Sequence, residues 1–167
     1  MSSEAISAGI MIIGAVVAAS FLVTAILPAI FTAGGTFGTV AHSADNQMRT
    51  DFEIIRAFTP ISGSSPRPVE IWIKNTGQTR FSDAEIKTMD VFFGNSSEIK
   101  RLDYISGEPQ LGFFSFEINN SPDSTYWNPG DTLCISTRRE DNTESQFYFA
   151  FVTTNGIHKT HIFGEGL

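Results

Sequence analysis

The sequence contains a single cysteine, Cys134, and only three histidines. One thiol cannot build an internal disulfide framework, and it matches none of the paired spacings of a zinc site. The run Asp131-Thr-Leu-Cys-Ile-Ser136 reads as a strand, so Cys134 is expected as a small buried core residue. His158 and His161 stand three apart, an offset that sends their rings to opposite faces of a strand, and His42 has no evident partner. Positive charge is also scarce: eleven Lys and Arg stand against eighteen Asp and Glu, for a net charge of −7. Scattered bases in an acidic chain argue against nucleic acid as a partner, because phosphate binding needs clustered positive charge. No His-Asp-Ser set, glycine-flanked nucleophile or closely spaced acid pair stands out. Asp83 and Glu85 read as a polar turn ahead of a strand that begins at Ile86, and Arg138-Arg139-Glu140-Asp141 as a solvated hairpin tip. The expectation is a protein without catalytic residues, metal or cofactor.

The most informative absence is of charge at the N-terminus. From Ala5 to Ala44 there is no Lys, Arg, Asp or Glu. All eleven bases and seventeen of the eighteen acids lie beyond residue 44, which gives that part a formal charge of −6. Ala5 to Ala33 forms a run of 29 uncharged residues with four hydroxyl side chains, more than the roughly 20 needed to span a bilayer core of about 30 Å. A secretory signal would open with basic residues and carry an apolar run of only about 7–15 residues. A single transmembrane helix is therefore expected, loosened near its end by Pro28 and broken at Gly34, Gly35 and Gly38 before the soluble part.

Small residues recur four apart at Ala5 and Gly9, Gly14 and Ala18, and Ala15 and Ala19, a spacing that lets helices approach closely in lipid. These positions are candidate helix-packing residues for self-association. Glu4, just ahead of the run, is either a plain interfacial charge or a group that pairs with a neighbour's terminal amine. No base precedes the span, so the positive-inside rule gives no signal there, while Arg49 and Arg56 beyond it argue weakly for a cytoplasmic C-terminal domain, at a distance where the rule has little force.

After Ala44 the period changes. Runs rich in β-branched and aromatic residues appear at 52–58, 69–75, 86–93, 98–105, 113–118, 132–137, 146–153 and 157–163, each bounded by turn chemistry. Asn155-Gly156 is the sharpest hairpin signal, because both residues tolerate the positive φ of a tight primed turn. With no helical periodicity between the runs, the fold class is mainly β: one hydrophobic N-terminal α-helix, residues 1–44, followed by an immunoglobulin-like antiparallel β-sandwich over 45–167. Alternation in Val69-Glu-Ile-Trp-Ile-Lys74 puts Val69, Ile71 and Ile73 on an inner face and Trp72 on the outer one. Phe147, Phe149 and Phe151 likewise leave Tyr148 outside. Trp72 and Tyr148 are candidate partner-interface residues, with the alternative that Trp72 covers an edge of the sandwich. Asn95-Ser-Ser97 and Asn119-Asn-Ser121 fit the N-glycosylation acceptor pattern, which matters only for a domain outside the cell.

The order of these landmarks resembles the archaeal flagellar protein G family, relatives of the archaellins and more distantly of type IV pilins. The resemblance rests on Met1-Ser-Ser-Glu4, the span with Leu27-Pro-Ala-Ile30, and Ser43-Ala-Asp-Asn-Gln-Met-Arg-Thr-Asp51 leading into the first strand. It continues through Val69–Gly77, Asp90–Asn95, Trp127–Leu133 and Thr153–Ile157 and covers nearly the whole chain. It implies a stationary part of the archaellum motor, anchored in the archaeal cell membrane by one span with its sandwich in the pseudoperiplasm. The implied partners are the membrane, a sister protein of similar build called F, the surface-layer protein indirectly, and further copies of itself through helix or sandwich. Archaellins and pilins carry a basic leader ending in glycine; this sequence shows none, which favours an accessory protein over a filament subunit. An archaellin-type filament subunit and a membrane-anchored surface binding module are the alternative readings.

Overall fold

A computed structural model describes residues 2–59, 65–119, 125–140 and 145–165. By packing, the chain divides into two compact units, 1–44 and 45–167.

Helix α1 runs over Ser2–Arg49, with Glu4 in its first turn and Arg49 in its last, charges that oppose the helix dipole at both ends. At 1.5 Å per residue, the uncharged run 5–33 rises about 44 Å, more than a bilayer core requires. This is one helix long and apolar enough to cross a membrane, and its apolar side chains are exposed all round, Met11 at 76% and Phe21 at 72% among them. Three of the four hydroxyls in that run bond within the helix: Ser20 donates to the Val16 carbonyl at 2.8 Å, Thr24 to Ser20 at 2.9 Å and Thr32 to Pro28 at 2.9 Å. A helix in hydrocarbon needs such bonds, since lipid offers polar groups no other partner. The expected break at Gly34, Gly35 and Gly38 is absent, because helical structure continues through all three. Each glycine costs about 1 kcal/mol relative to alanine, but propagation adds one hydrogen bond per residue once a helix is running. Thr36 and Thr39 also donate back to the Thr32 and Thr36 carbonyls, each at 2.9 Å.

The second unit is a β-sandwich. Its strands are β1 (Phe52–Phe58), β2 (Arg67–Asn75), β3 (Phe81–Ser82), β4 (Asp90–Asn95), β5 (Ile99–Tyr104), β6 (Phe113–Asn119), β7 (Tyr126–Trp127), β8 (Thr132–Arg139), β9 (Gln146–Val152) and β10 (His158–Gly164). Eight of them follow one hydrogen-bonded order, β1-β2-β8-β6-β5-β4-β9-β10, while β3 pairs with β7 separately. β5 is the corner between two layers, β1-β2-β8-β6 and β4-β9-β10. The end strands β1 and β10 meet on the far side. One pairing departs from the expected antiparallel build: β5 and β6 run parallel, through Asp103 with Phe113 and Tyr104 with Phe114.

Alternation delivers the core. Val69, Ile71 and Ile73 of β2 and Leu133 and Ile135 of β8 are fully buried, and they face Val91 of β4 and Phe149 and Phe151 of β9, also fully buried. Trp127 closes one end of this core, 6.4 Å from Phe52, 5.8 Å from Phe81 and 6.2 Å from Phe151 between ring centroids. Its indole N–H donates to the Asp131 carbonyl at 3.0 Å, so burial leaves no polar atom stranded. The Asn128-Pro-Gly-Asp131 turn that sets this up needs glycine at position 130, where φ is +88°.

Two further expectations change. Ile86 opens no strand: it ends a one-turn helix, α2 (Asp83–Ile86), on which Ser82 and Glu85 form a reciprocal capping box. Cys134 does not face the core, since Leu133 and Ile135 on either side take the inner positions and the alternation turns its thiol to the outer surface.

Candidate interaction surfaces

Glu4, Ala5, Gly14, Ala15, Ala18 and Ala19 are exposed on α1, and Gly9 is partly so. At about 100° per residue, the Ala5–Gly9 pair points roughly opposite to Gly14–Ala18, with Ala15–Ala19 about midway between them. The helix therefore does not gather the three pairs into one seam. It presents three small-residue faces, each suited to a different neighbouring helix.

On the sandwich, Trp72 and Tyr148 lie on opposite outer faces, so the structure does not bring them together. Trp72 belongs to a cross-strand row, Arg56–Trp72–Cys134–Glu117, drawn from β1, β2, β8 and β6. The Arg56 guanidinium lies 5.5 Å from its ring centroid and the indole is half-buried. Burial first, then the nearby Glu70 carboxylate and more weakly Glu117, push the Cys134 thiol up to about 11, against a hydrogen bond with Ser136 that lowers it. The surroundings of Trp72 are thus polar and charged.

Tyr148 sits in a different setting. Its row is Ile99–Gly94–Tyr148–Ile162, across β5, β4, β9 and β10. Ile99 is 51% exposed and Ile162 60%. On the same face Phe92 and Val152 are partly exposed and adjoin the row, while Ala150 between them is buried. Contiguous exposed apolar surface of this kind marks an interface more strongly than a lone aromatic does. Sequence reasoning found Tyr148 but missed Ile99 and Ile162, since neither stands out until the register sets them beside it.

Arg138 and Arg139 do not form a solvated tip, because β8 continues through them; Asp141 lies outside the described residues. Arg139 is 4% exposed, with its guanidinium 4.6 Å from the Phe147 ring centroid. Its Nε donates to the Thr59 hydroxyl at 2.9 Å, and an Nη2 bond reaches the Glu165 carboxylate. The inner-face alternation Leu133, Ile135, Thr137, Arg139 was a usable signal for this burial. Of the glycosylation candidates, Asn95 uses its side-chain oxygen to accept from the Ser97 and Glu98 amides at 3.0 and 2.8 Å. Asn119 ends β6, and Ser121 lies outside the described residues. His158 is exposed, whereas His161 stacks 6.1 Å from Phe163. Among the described residues no three His, Cys, Asp or Glu side chains converge as a metal site.

Comparison with known proteins adds three findings. A family model described as archaeal-type flagellin matches residues 2–163. An uncharacterized protein of Archaeoglobus fulgidus is 29% identical over 167 residues, covering 98% of this chain and 99% of that protein. Among solved structures, the archaellum periplasmic stator protein FlaG of Sulfolobus acidocaldarius superposes with a TM-score of 0.51 at 21% identity, over 68% of this chain and 99% of that one. The complex of FlaF and FlaG from the same organism gives a TM-score of 0.50 at 21% identity, over 67% and 87%. These structural likenesses establish a shared fold.

Proposed function

Because the chain belongs to the archaeal-type flagellin family, we propose that it is a non-catalytic structural component of the archaellum, part of the stationary complex that anchors rotation to the cell envelope. The observation that supports this reading is the match of its sandwich to nearly the full length of a periplasmic archaellum stator protein. In this reading α1 spans the archaeal cell membrane once and the sandwich lies outside. The partner is an F-type sister protein, as in the solved complex of FlaF and FlaG, with the surface layer reached indirectly through it. The apolar stripe around Tyr148 is the favoured contact face, and the small-residue faces of α1 serve self-association in the membrane.

Deleting the gene is expected to abolish swimming while the archaellum ATPase and cellular energy supply remain intact. Normal swimming by a deletion strain that lacks a paralogue would remove the assignment.

The family match runs through the helix as well as the sandwich, which keeps a filament subunit as the second reading. Quantifying the protein in isolated archaella separates the two. A few copies at the base support the stationary component, and thousands along the shaft support the filament subunit.

A further inference from the structure

The turn between β4 and β5 carries Asn95-Ser-Ser97, the acceptor pattern for an N-linked glycan, with no proline within or directly after it. The fold presents this triplet in a defined form. The Asn95 amide donates to the Glu98 carbonyl at 3.0 Å, which closes the hairpin. Its side-chain Oδ1 accepts from the Ser97 and Glu98 amides at 3.0 and 2.8 Å, and the first of these bonds is an Asx turn that holds the last serine of the triplet beside the carboxamide. Because Oδ1 takes both turn bonds, Nδ2 is left over. Among the described residues, neither Asn95 Nδ2 nor the Ser97 hydroxyl is engaged in a hydrogen bond. Nor is Nδ2 shut away from solvent: Ser96, Ser97 and Glu98 are exposed and Asn95 is partly so.

The turn also lies at the end of the sandwich remote from the point where the chain enters at Thr50. β4 begins at Asp90, paired with Val152 next to the β9–β10 turn whose Asn155 bonds Thr50, and runs away from it to Asn95. At about 3.3 Å per residue the two ends of this strand are roughly 17 Å apart. An oligosaccharide is bulky and hydrated, so it needs an acceptor on an open surface turn such as this one.

We propose that Asn95 is an N-glycosylation site whose donor is a lipid-linked oligosaccharide at the outer face of the membrane. This rests on the reading that the sandwich lies outside. In the transfer, Asn95 Nδ2 forms a bond to the anomeric carbon of the first sugar, and the bond from that carbon to the lipid phosphate oxygen breaks. The phosphate leaves with the bonding electron pair and in net terms takes up the proton that Nδ2 loses; nothing is oxidised or reduced. The attached glycan covers the tip at the β4–β5 turn and leaves protein contacts to the sides of the sandwich.

The test takes the full chain from membranes of its own organism and measures the mass of the tryptic peptide 88–100, in which Asn95 is the only asparagine. In parallel, cells stripped of their outer layer are treated with an added protease to report on which side the sandwich lies. The peptide is expected to carry the mass of an oligosaccharide, with the first sugar retained on Asn95 after fragmentation. Ser97→Ala should abolish the modification and leave the turn in place, since Ser97 bonds Asn95 through its main-chain amide. Ser97→Thr should restore it. An unmodified peptide from a protease-accessible sandwich overturns the site while leaving the external placement standing. An unmodified peptide from a sandwich cut only after lysis overturns both. Sugar that persists in Ser97→Ala, or that resides on Ser96 or Ser97 instead of Asn95, also overturns the proposal.

Discussion

The Lys159 ammonium lies 2.7 Å from a carboxylate oxygen of Asp51, tying β10 to the residue just ahead of β1. Lys159 is also 5.7 Å from the Phe52 ring centroid, so one side chain spans the seam where the two end strands meet. Its hydrogen bond is the main cause that lowers the Asp51 pKa, ahead of an opposing effect of burial and a further lowering by the Thr76 hydroxyl.

A carboxylate whose folded pKa is depressed stabilises the fold above its ordinary pKa, and that contribution is lost as pH falls through the folded value. Asp51→Asn is therefore expected to lower stability near pH 7, with the difference from wild type shrinking as the pH falls below about 4 and disappearing only below the depressed folded value. Both side chains are more than a third exposed, so the effect should be at most about 1 kcal/mol. Thermal unfolding across pH 3–7, followed by the β-sheet circular dichroism signal, measures it. A constant difference at every pH would show that the ion pair is not its source.

Gly94 is fixed by crowding. A Cβ at this position would lie 2.0 Å from the Glu98 carbonyl oxygen and 2.6 Å from the Ile99 Cα, both backbone atoms that cannot rotate away. Gly94→Ala should force the β4–β5 hairpin apart and destabilise the sandwich by about 1–3 kcal/mol, read as a lowered unfolding midpoint. Unchanged stability would mean that the hairpin relaxes freely.

The two outer faces of the sandwich make opposite demands on a partner. Ile162→Glu, in the apolar row beside Tyr148, is expected to leave the fold intact and weaken association with the F-type partner proposed above by roughly tenfold or more. Trp72→Glu should also leave the fold intact but weaken association less, since Arg56 and Glu117 already make that face polar. Sedimentation velocity of each variant with the sister protein gives the ranking. Equal binding by Ile162→Glu and wild type would remove the apolar stripe from the interface.

Cys134 faces outward, yet its thiol is held up to about 11, chiefly by burial. Against the ordinary thiol value of about 8.5, this leaves the thiolate fraction at pH 8 lower by roughly two orders of magnitude. Iodoacetamide should therefore label the folded chain far more slowly than the denatured chain. Similar rates would show that the strand neighbours do not shield the sulfur.

Regular alternation made most of the fold legible from sequence, as in β2, where Val69, Ile71 and Ile73 go inward and Trp72 outward. What escaped depended on context that the period does not carry. Ser82-Asp-Ala-Glu85 is a capping box written in the sequence, but the apolar run after it suggested a strand from Ile86. Extending the β8 alternation by one more inward position would have placed Arg139 inside; its charge argued the other way until Thr59, Phe147 and Glu165 were seen around it. The parallel pairing of β5 with β6 has no local signature, because alternation within each strand is the same whichever way its neighbour runs.

The residues where α1 ends are fastened by main-chain bonds. The Arg49 carbonyl accepts from the Gln78 and Thr79 amides at 2.7 and 3.2 Å, and the Asp51 carbonyl from the Thr76 and Gly77 amides at 3.1 and 2.8 Å. Asn155, in the β9–β10 turn, donates to the Thr50 hydroxyl at 2.9 Å. A pull or twist delivered along the chain to Arg49 would therefore meet several hydrogen bonds in parallel, which must yield together instead of opening one after another. Two separate loops share the strain before any core strand is disturbed. In mechanical terms this junction is a clamp, and in single-molecule extension it should hold to higher force than the β9–β10 hairpin, which can unzip one bond at a time.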